Sequence, residues 1–570
     1  IKMAMSIYKR ISSRIGKAAL LLIICISSSY AQNTNVFYVQ FDSKEIVGQA
    51  EDHLSPKAID RRAKYGIKPT ETDFPVNSIY VAAVLRDTNI IFRYSLKWHN
   101  AIVVSSDEKN LSKLEKLPFV KQVKYAGKAT KILVIEAPTF VSPILKLKES
   151  DMTIITLTEA EYGSSYGQNN QIGVIELHRK GFDGSGIDIA IFDAGFKNLN
   201  TIPAFLKHQG NGLLTYGYDL VDLDNELTNS DNHGTSCASC FGSYDKGKYV
   251  GSAPKAHVTL FRTENGPTEY PVEELNWCKA AEIADSLGVD MITSSLGYNR
   301  YDDTTLSYSH NDLNGKTSYI SFAAKTATEK GILVINSAGN EGDNKWRKIG
   351  TPADAAEVLA VGAVSLKNKP GKFTSQGYNA DGVVKPDIAA CGVLAWVASP
   401  SGSYYQGYGT SYATPIAAGG VACLLQAYPE LNPQQIRKLI KATAMDAESP
   451  DSIRGYGVAQ FDLAYELGQV QKLSILSAKI LRMDSNQAII FNPNKAKISY
   501  SVYYTKKFLG VLNIKKKLDS GKKNANTVVN RIKFDNSKLD CTKTYTIQVT
   551  LKSNVGNEVL KVNDLSLCFH

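Results

Sequence analysis

Three polar residues in the middle of this chain stand among glycines and small side chains, each beside an element boundary. Asp193 closes the apolar run IAIFDAGF, His233 opens DNHGTSCAS, and Ser411 lies in YGTSYATP. A serine hydroxyl is a poor nucleophile at neutral pH unless a base removes its proton, and imidazole titrates in the range that suits the task. The imidazole in turn needs a carboxylate to fix its tautomer and stabilise its charged form. Taken singly, His-Gly-Thr is an ordinary helix start and Asp-Ala-Gly an ordinary turn. Together, one carboxylate, one imidazole and one hydroxyl satisfy the whole chain of need. Local stability does not explain Ser411, because helix interiors disfavour serine and Pro415 lacks a backbone N–H. The proline is expected in the first turn, where a helix best spares a donor.

The elements that must position these groups are legible as a rhythm. From about residue 160 to 462, short continuous apolar runs (IDIAIFDAG, HVTLFR, VDMITSSLG, GILVINSAGN, VLAVGAV) alternate with helical stretches such as VEELNWCKAAEIADSLG. Such runs are typical of parallel strands covered on both faces, so an α/β fold is expected, with ligands at the carboxyl ends of the strands. Before it, VFYVQF, SPKAIDRRAKYG, SIYVAAVL, AIVVSS, DEKNLSKLEKL and VKQVKYAG give strand, helix, strand, strand, helix, strand. That is the ferredoxin-like α+β order. After about residue 465 the helices vanish, and alternating segments such as KISYSVYYTKKFLGVLNI and TYTIQVTLK predict an antiparallel β-sandwich.

At 570 residues, with 43% apolar and 21% charged side chains, the chain has material for several globular domains and is not disordered or collagen-like. The net charge of +10 does not point to nucleic acid, because residues 159–462 carry roughly 25 basic and 34 acidic groups. The positive excess sits in the flanks. Lys9, Arg10, Arg14 and Lys17 precede the apolar run 18–26, and Ser29-Tyr30-Ala31 predicts an export signal over residues 1–31. Nine apolar residues are too few for a membrane span, so no transmembrane helix is expected in the mature chain. Cys237 and Cys240 form a C-x-x-C with no second pair beside it, so they read as buried small side chains and no metal is assigned there. Cys541 and Cys568 are candidates to staple the last domain.

The order Asp, His, Ser, with separations of 40 and 178 residues, strongly resembles the subtilisin-like serine proteases, the subtilases. The resemblance covers about residues 162–462 and implies a three-layer, mostly parallel sheet and peptide-bond hydrolysis through an acyl-enzyme. SSLG at 294–297 resembles that family's edge strand, with Ser295, Leu296 and Gly297 offering backbone groups to an extended peptide. SAGNEG at 337–342 resembles the segment that supplies an oxyanion-stabilising asparagine, here Asn340. Ala338 and Gly339 suggest an open primary pocket compatible with bulky apolar side chains, with Glu341 favouring basic ones as the weaker alternative. Two residues depart from the pattern: Ala194 stands where serine or threonine usually follows the aspartate, thinning its hydrogen bonds, and Tyr412 replaces a usual methionine.

Under this resemblance the N-terminal unit is similar to an inhibitory propeptide. The expected division is a signal over 1–31, a propeptide over 32–158 with its core at 33–126, a catalytic domain over 159–465, and an accessory or sorting β-domain over 466–570. Expected partners are protein or peptide substrates and the chain's own propeptide, with no nucleic acid, for a monomer exported to the extracellular space, cell surface or periplasm. No cofactor is required. The acid-rich DLVDLDNELTNSDN lacks ordered calcium-ligand spacing and reads as a solvated loop, with structural calcium as the alternative. His178 and His257 are expected to be structural or surface residues. The rival function is a catalytically silent scaffold that binds peptides or surface glycans. A serine esterase fits worse, since those usually carry G-x-S-x-G with histidine last in the chain.

Overall fold

The computed structural model describes residues 33–130, 154 and 156–472, and beyond these 478–483, 487–508, 512–525, 527–534, 545–553 and 556–565. The expected export signal, most of the segment between propeptide and enzyme, and Cys541 and Cys568 lie outside the described residues.

The central element is a seven-stranded parallel sheet. Its strands run, side by side, Ile388–Cys391, Leu359–Val364, Leu333–Ser337, Met291–Ser294, Asp188–Asp193, His257–Arg262 and Leu214–Asp219. Helices cover both faces, which is why the middle strands read as unbroken apolar runs. One core, with Ile189, Ile191, Leu260 and Ile335, packs under the helix Thr410–Ala427; the other, with Phe192, Trp277, Ile292 and Val334, packs under Pro271–Leu287 and Tyr319–Glu329. Ser294 pairs in register with Phe192 on one side and Asn336 on the other. Three neighbouring central strands therefore deliver Asp193, Ser295 and the Asn340 loop to the carboxyl ends of the sheet.

The N-terminal sheet has the order Ile91–Leu96, Ala101–Ser106, Asn33–Phe41, Val120–Thr130, all antiparallel, which is the ferredoxin-like arrangement. One expected strand is wrong: SIYVAAVL forms a helix, Ser78–Val84, and the second strand is Ile91–Leu96. A short apolar run is ambiguous by periodicity alone. Here the Asn77 side chain caps the first turn by accepting from the amides of Ile79 and Tyr80, and Tyr80, Val81 and Val84 pack into the unit's own core.

The C-terminal residues form a three-stranded and a four-stranded antiparallel sheet around Ala488, Ile490, Ile498, Val549 and Leu551. The helix Phe461–Lys472 runs through the expected boundary at 465, so helical structure ends later than the composition suggests. Its buried residues Phe461, Leu463 and Leu467 belong to the core of the parallel-sheet domain.

Candidate active site

Asp193 is the last residue of its strand and fully buried. His233 begins the helix His233–Gly242, where its amide donates to Asp231 Oδ1 at 2.7 Å. Its Nδ1 lies 2.7 Å from Asp193 Oδ1, which fixes the imidazole face. Gly234 makes the approach feasible, since a Cβ there would sit 2.9 Å from Asp193 Cβ and 2.4 Å from the Gly195 carbonyl oxygen. Burial pushes the His233 pKa down, but the Asp193 charge overrides it, and the imidazole ends well above its ordinary 6.5.

The expected thinness of the aspartate's hydrogen bonds is visible. Asp193 Oδ1 accepts from the amide of Ala194 at 2.8 Å as well as facing His233, while Oδ2 is buried with no partner among the described residues. The acid-rich loop contributes support from outside. Asp219 and Asp222 each take Arg262 Nη1 at 2.6 Å, and Arg262 Nε donates to the Ala194 carbonyl at 3.1 Å. Those two carboxylates thus hold the backbone after Asp193, a role that loop composition did not reveal.

Ser411 is the second residue of the helix Thr410–Ala427 and is 7% exposed. Gly409 caps that helix at φ 154°, a conformation side chains rarely adopt. Pro415 is not in the first turn as expected. It lies four residues after Ser411, where its N–H would have bonded the Ser411 carbonyl. That carbonyl is instead met by the Ser295 hydroxyl at 2.7 Å and the Cys237 thiol at 3.4 Å. The Ser411 hydroxyl makes its hydrogen bond to the Ser295 carbonyl at 3.3 Å rather than to the imidazole. Cys237, one helical turn after His233, ties the two sides together: its Sγ is 3.7 Å from His233 Nδ1 and 3.8 Å from Nε2. Spacing i, i+4 on a helix is the signal that would have found it. The Tyr412 ring stands 6.5 Å from the His233 ring, centroid to centroid.

Asn340 is exposed at the edge of the cleft, and its Oδ1 accepts from the Thr410 amide at 2.9 Å and the Thr410 hydroxyl at 3.0 Å. With the oxygen anchored, the NH₂ group is the end left to face the cleft. Thr410 is a positioning residue missed in the sequence. On the edge segment, Gly297 is exposed and Leu296 partly so, while the Leu296 carbonyl is held inward by Asn336 Nδ2 at 2.8 Å and Ser337 Oγ at 3.1 Å. Ala338 differs from expectation: it is fully buried, with Ile349 and Ala353, and supports the site without lining it. Gly339, partly exposed at φ 104°, gives its carbonyl to the Ser375 amide at 2.9 Å. A cavity of about 550 Å³ is lined by Arg300, His310, Glu341, Lys345 and Trp346 among others, and by none of Asn340, Gly339 or Ser411.

Among the described residues, two groups offer three ligand atoms within 4.8 Å of one another: Asp193 with His233 and Cys237, and Glu264 with Glu269 and Glu273. The first is the arrangement just described. The second is a cluster of carboxyls in which burial, reinforced by neighbouring glutamates, pushes Glu264 up to about 8 and Glu273 up to about 10. His178, buried between the Tyr162 hydroxyl and the Ser252 carbonyl, and His257, against Asp188 and Thr215, are structural.

Comparison with known proteins agrees with this architecture. The subtilase family model matches residues 184–458, and a model of the peptidase S8 propeptide domain of Bacteroidota matches residues 36–139. The chain thus belongs to the subtilase family: it is a serine endopeptidase with the propeptide domain of that family ahead of its catalytic domain. It is 27% identical over 323 residues to serine protease AprX of Bacillus subtilis (strain 168), covering 52% of this chain and 67% of that protein. It is 28% identical over 340 residues to subtilisin E of the same strain, covering 57% and 77%. To alkaline elastase YaB of Bacillus sp. (strain YaB) it is 27% identical over 307 residues, covering 53% and 69%.

The propeptide domain sits against the helices Pro271–Leu287 and Tyr319–Glu329. Tyr94 donates to Asn276 Oδ1 at 2.6 Å, the Trp98 amide to Glu282 Oε1 at 2.9 Å, and Arg62 spans Asp73 at 2.9 Å and Asp285 at 3.0 Å. Among the described residues no helix is long and apolar enough to cross a membrane.

Proposed function

We propose that this protein is an exported endopeptidase, made as a zymogen, that cleaves peptide bonds through an acyl-enzyme on Ser411. His233 takes the Ser411 proton and returns it to the leaving amine, and Asp193 holds the imidazole in the tautomer with Nε2 free. The Asn340 NH₂ and the Ser411 amide, an N–H with no acceptor inside its helix, stabilise the oxyanion. Ser295 to Gly297 pair with the peptide backbone, and Gly339 leaves room beside it. The Ser411 hydroxyl turns from the Ser295 carbonyl to the imidazole as substrate enters, since such bonds tighten in the reacting complex.

The observation that carries the reading is the shared sulfur contact. Cys237 touches both His233 nitrogens and the Ser411 carbonyl, so residues 178 apart in the chain meet across one atom, with Asp193 2.7 Å behind. Gly339, partly exposed and without a side chain, leaves the primary pocket open to a bulky apolar side chain before the scissile bond. A peptide library in which acidic side chains are preferred there contradicts that part. Ser411→Ala tests the whole: wild-type protein is expected to shorten itself and digest casein, and the variant to do neither, by mass analysis of both. A variant that still processes itself and casein refutes the assignment.

A further inference from the structure

Charge is distributed very unevenly along this protein. Residues 473–570 carry 17 Lys and Arg against 6 Asp and Glu, next to a catalytic region with an acidic excess. Two concave sites are rich in cations, one at the seam between the two domains and one within the β-domain. One, of about 440 Å³, is lined by Arg437, Lys438 and Lys441 from the helix Pro433–Thr443 and by Thr527 to Val529 from the β-domain. The other, of about 420 Å³, is lined by Lys497, Lys522, Lys523 and Lys552. Residues 522–524 line the second site and 527–529 the first, so the two are neighbours along the chain.

Neither site is neutralised from within. Lys497 stands directly opposite Lys552 across an antiparallel pair, a placement that costs stability because like charges face each other. Lys438, Lys497, Lys522 and Lys552 are exposed, and none has a carboxylate within salt-bridge distance among the described residues. Behind the first site, the buried Asp387 faces Arg437 at 2.7 Å and Lys441 at 3.0 Å, which line the site, and also the buried Lys385 at 2.8 Å. Three cations around one carboxylate leave positive charge over. Arg437, 8% exposed, keeps a buried Nε with no acceptor among the described residues. Lys523 is spent differently: it bonds Glu448 of the catalytic domain, whose other oxygen takes the Arg531 amide at 2.7 Å. This clamp ties the β-domain to the catalytic domain.

We propose that these two cavities form a continuous track that binds a linear anionic polysaccharide. Polar side chains line the cavities beside the cations: the Thr527 and Ser499 hydroxyls donate to the backbone carbonyls of Val529 and Thr550 and keep lone pairs that can accept from sugar hydroxyls, and Asn524 stands exposed in the second cavity. Single-stranded nucleic acid fits worse, because it is held by exposed aromatic faces. The one aromatic residue lining either cavity, Tyr456, has its face covered by Lys441 Nζ at 4.4 Å. The track holds the protease on an acidic polymer and leaves its cleft free.

The test uses the full chain with Ser411→Ala, to prevent self-digestion, and measures binding of polygalacturonate, dextran and poly(dT) by calorimetry at 50 mM and 500 mM NaCl. Polygalacturonate is expected to bind at low salt and to weaken about ten-fold at high salt, as screened surface charge requires. Dextran is expected not to bind, and poly(dT) to bind more weakly than polygalacturonate. Lys438→Gln, Lys497→Gln and Lys552→Gln combined are expected to cost about ten-fold or more in affinity, and the same three lysines changed to Arg to retain binding. The control set Lys479→Gln, Lys495→Gln and Lys561→Gln, exposed outside both cavities, is expected to change affinity less than about two-fold. Absence of binding at 50 mM, equal losses in the two Gln sets, or tighter binding of poly(dT) overturns the proposal. Melting temperatures of all variants are compared, and a track set that melts early is judged on its Arg counterpart: loss of binding there, with melting unchanged, also overturns it.

Discussion

Ser295 and Ser411 bond each other twice: the Ser295 hydroxyl donates to the Ser411 carbonyl at 2.7 Å, and the Ser411 hydroxyl donates to the Ser295 carbonyl at 3.3 Å. The first bond exists because Pro415 leaves that carbonyl without its helical donor. Ser295→Ala leaves the carbonyl to the weak Cys237 thiol, a loss of about 1–3 kcal/mol at a buried acceptor. We expect kcat to fall about ten-fold with KM little changed, and Pro415→Ala to restore much of the loss by supplying the i+4 N–H. Steady-state kinetics of the single and double variants check this; no recovery in the double variant means the bond does not position the nucleophile.

The pH dependence follows from the sign of the His233 shift. Burial alone would lower its pKa, yet the Asp193 charge raises it well above 6.5, and only the neutral ring accepts the Ser411 proton. The acid limb of kcat/KM is therefore expected above 6.5, giving an alkaline-active enzyme. Asp193→Asn removes the raising charge and keeps the burial, so the limb moves to lower pH while kcat drops on the order of 10³–10⁴-fold. Ala194→Ser gives the orphaned Asp193 Oδ2 a donor, and kcat/KM is expected to rise by a few-fold. A pH profile with its limb below 6.5 contradicts the wild-type expectation.

The Glu264 cluster predicts a stability change of opposite sign to that of most carboxylates. Burial raises Glu264 from 4.5 to about 8, so the folded state keeps a proton the unfolded chain gives up, and stability drains away as pH rises from 4.5 through about 8. Glu264→Gln removes the ionisation and retains an acceptor for the Tyr298 hydroxyl. Its melting temperature is expected to exceed that of the parent by about 2–4 °C at pH 9 and to match it at pH 5. Equal melting at both values contradicts the cluster's assigned protonation.

At the propeptide contact, Arg62 is paired with Asp73 and Asp285, both fully buried. Removing one partner of a buried ion group strands the others, so Arg62→Ala is expected to destabilise the full Ser411→Ala chain by about 3–5 kcal/mol in denaturant titration. Burial works against both carboxylates, but neighbouring cations win and hold them below 3.8. Their contribution is present above that value and lost only as pH falls below it, so mild acid does not release the domain. Intrinsic fluorescence across a pH series shows whether separation begins above pH 5.

Much of this was legible in the sequence because burial and chemistry leave local signatures. The strand ending at Asp193 and the one ending at Ser294 are short apolar runs closed by polar residues, and parallel strands covered on both faces look that way. Asp193, His233 and Ser411 stood out because each interrupts small residues at a boundary. SIYVAAVL did not announce its helix, because an eight-residue apolar run suits either period and only the Asn77 cap decides. The Pro415 effect on the Ser411 carbonyl needed the helix start to be placed to the residue. Ser295 Oγ, Thr410 and the Arg262 clamp act through contacts between segments tens of residues apart, which composition does not carry. Cys237 was readable, one turn after His233, but as a buried thiol it looked like packing.

The most direct measurement is active-site labelling with a fluorophosphonate probe, followed by peptide mapping. The processed wild-type enzyme is expected to carry one adduct, on the peptide containing Ser411, and the His233→Ala protein, processed in trans, to label at least about a hundred-fold more slowly. An adduct on another serine, or undiminished labelling of Ser411 without the imidazole, contradicts a hydroxyl activated by His233 and Asp193.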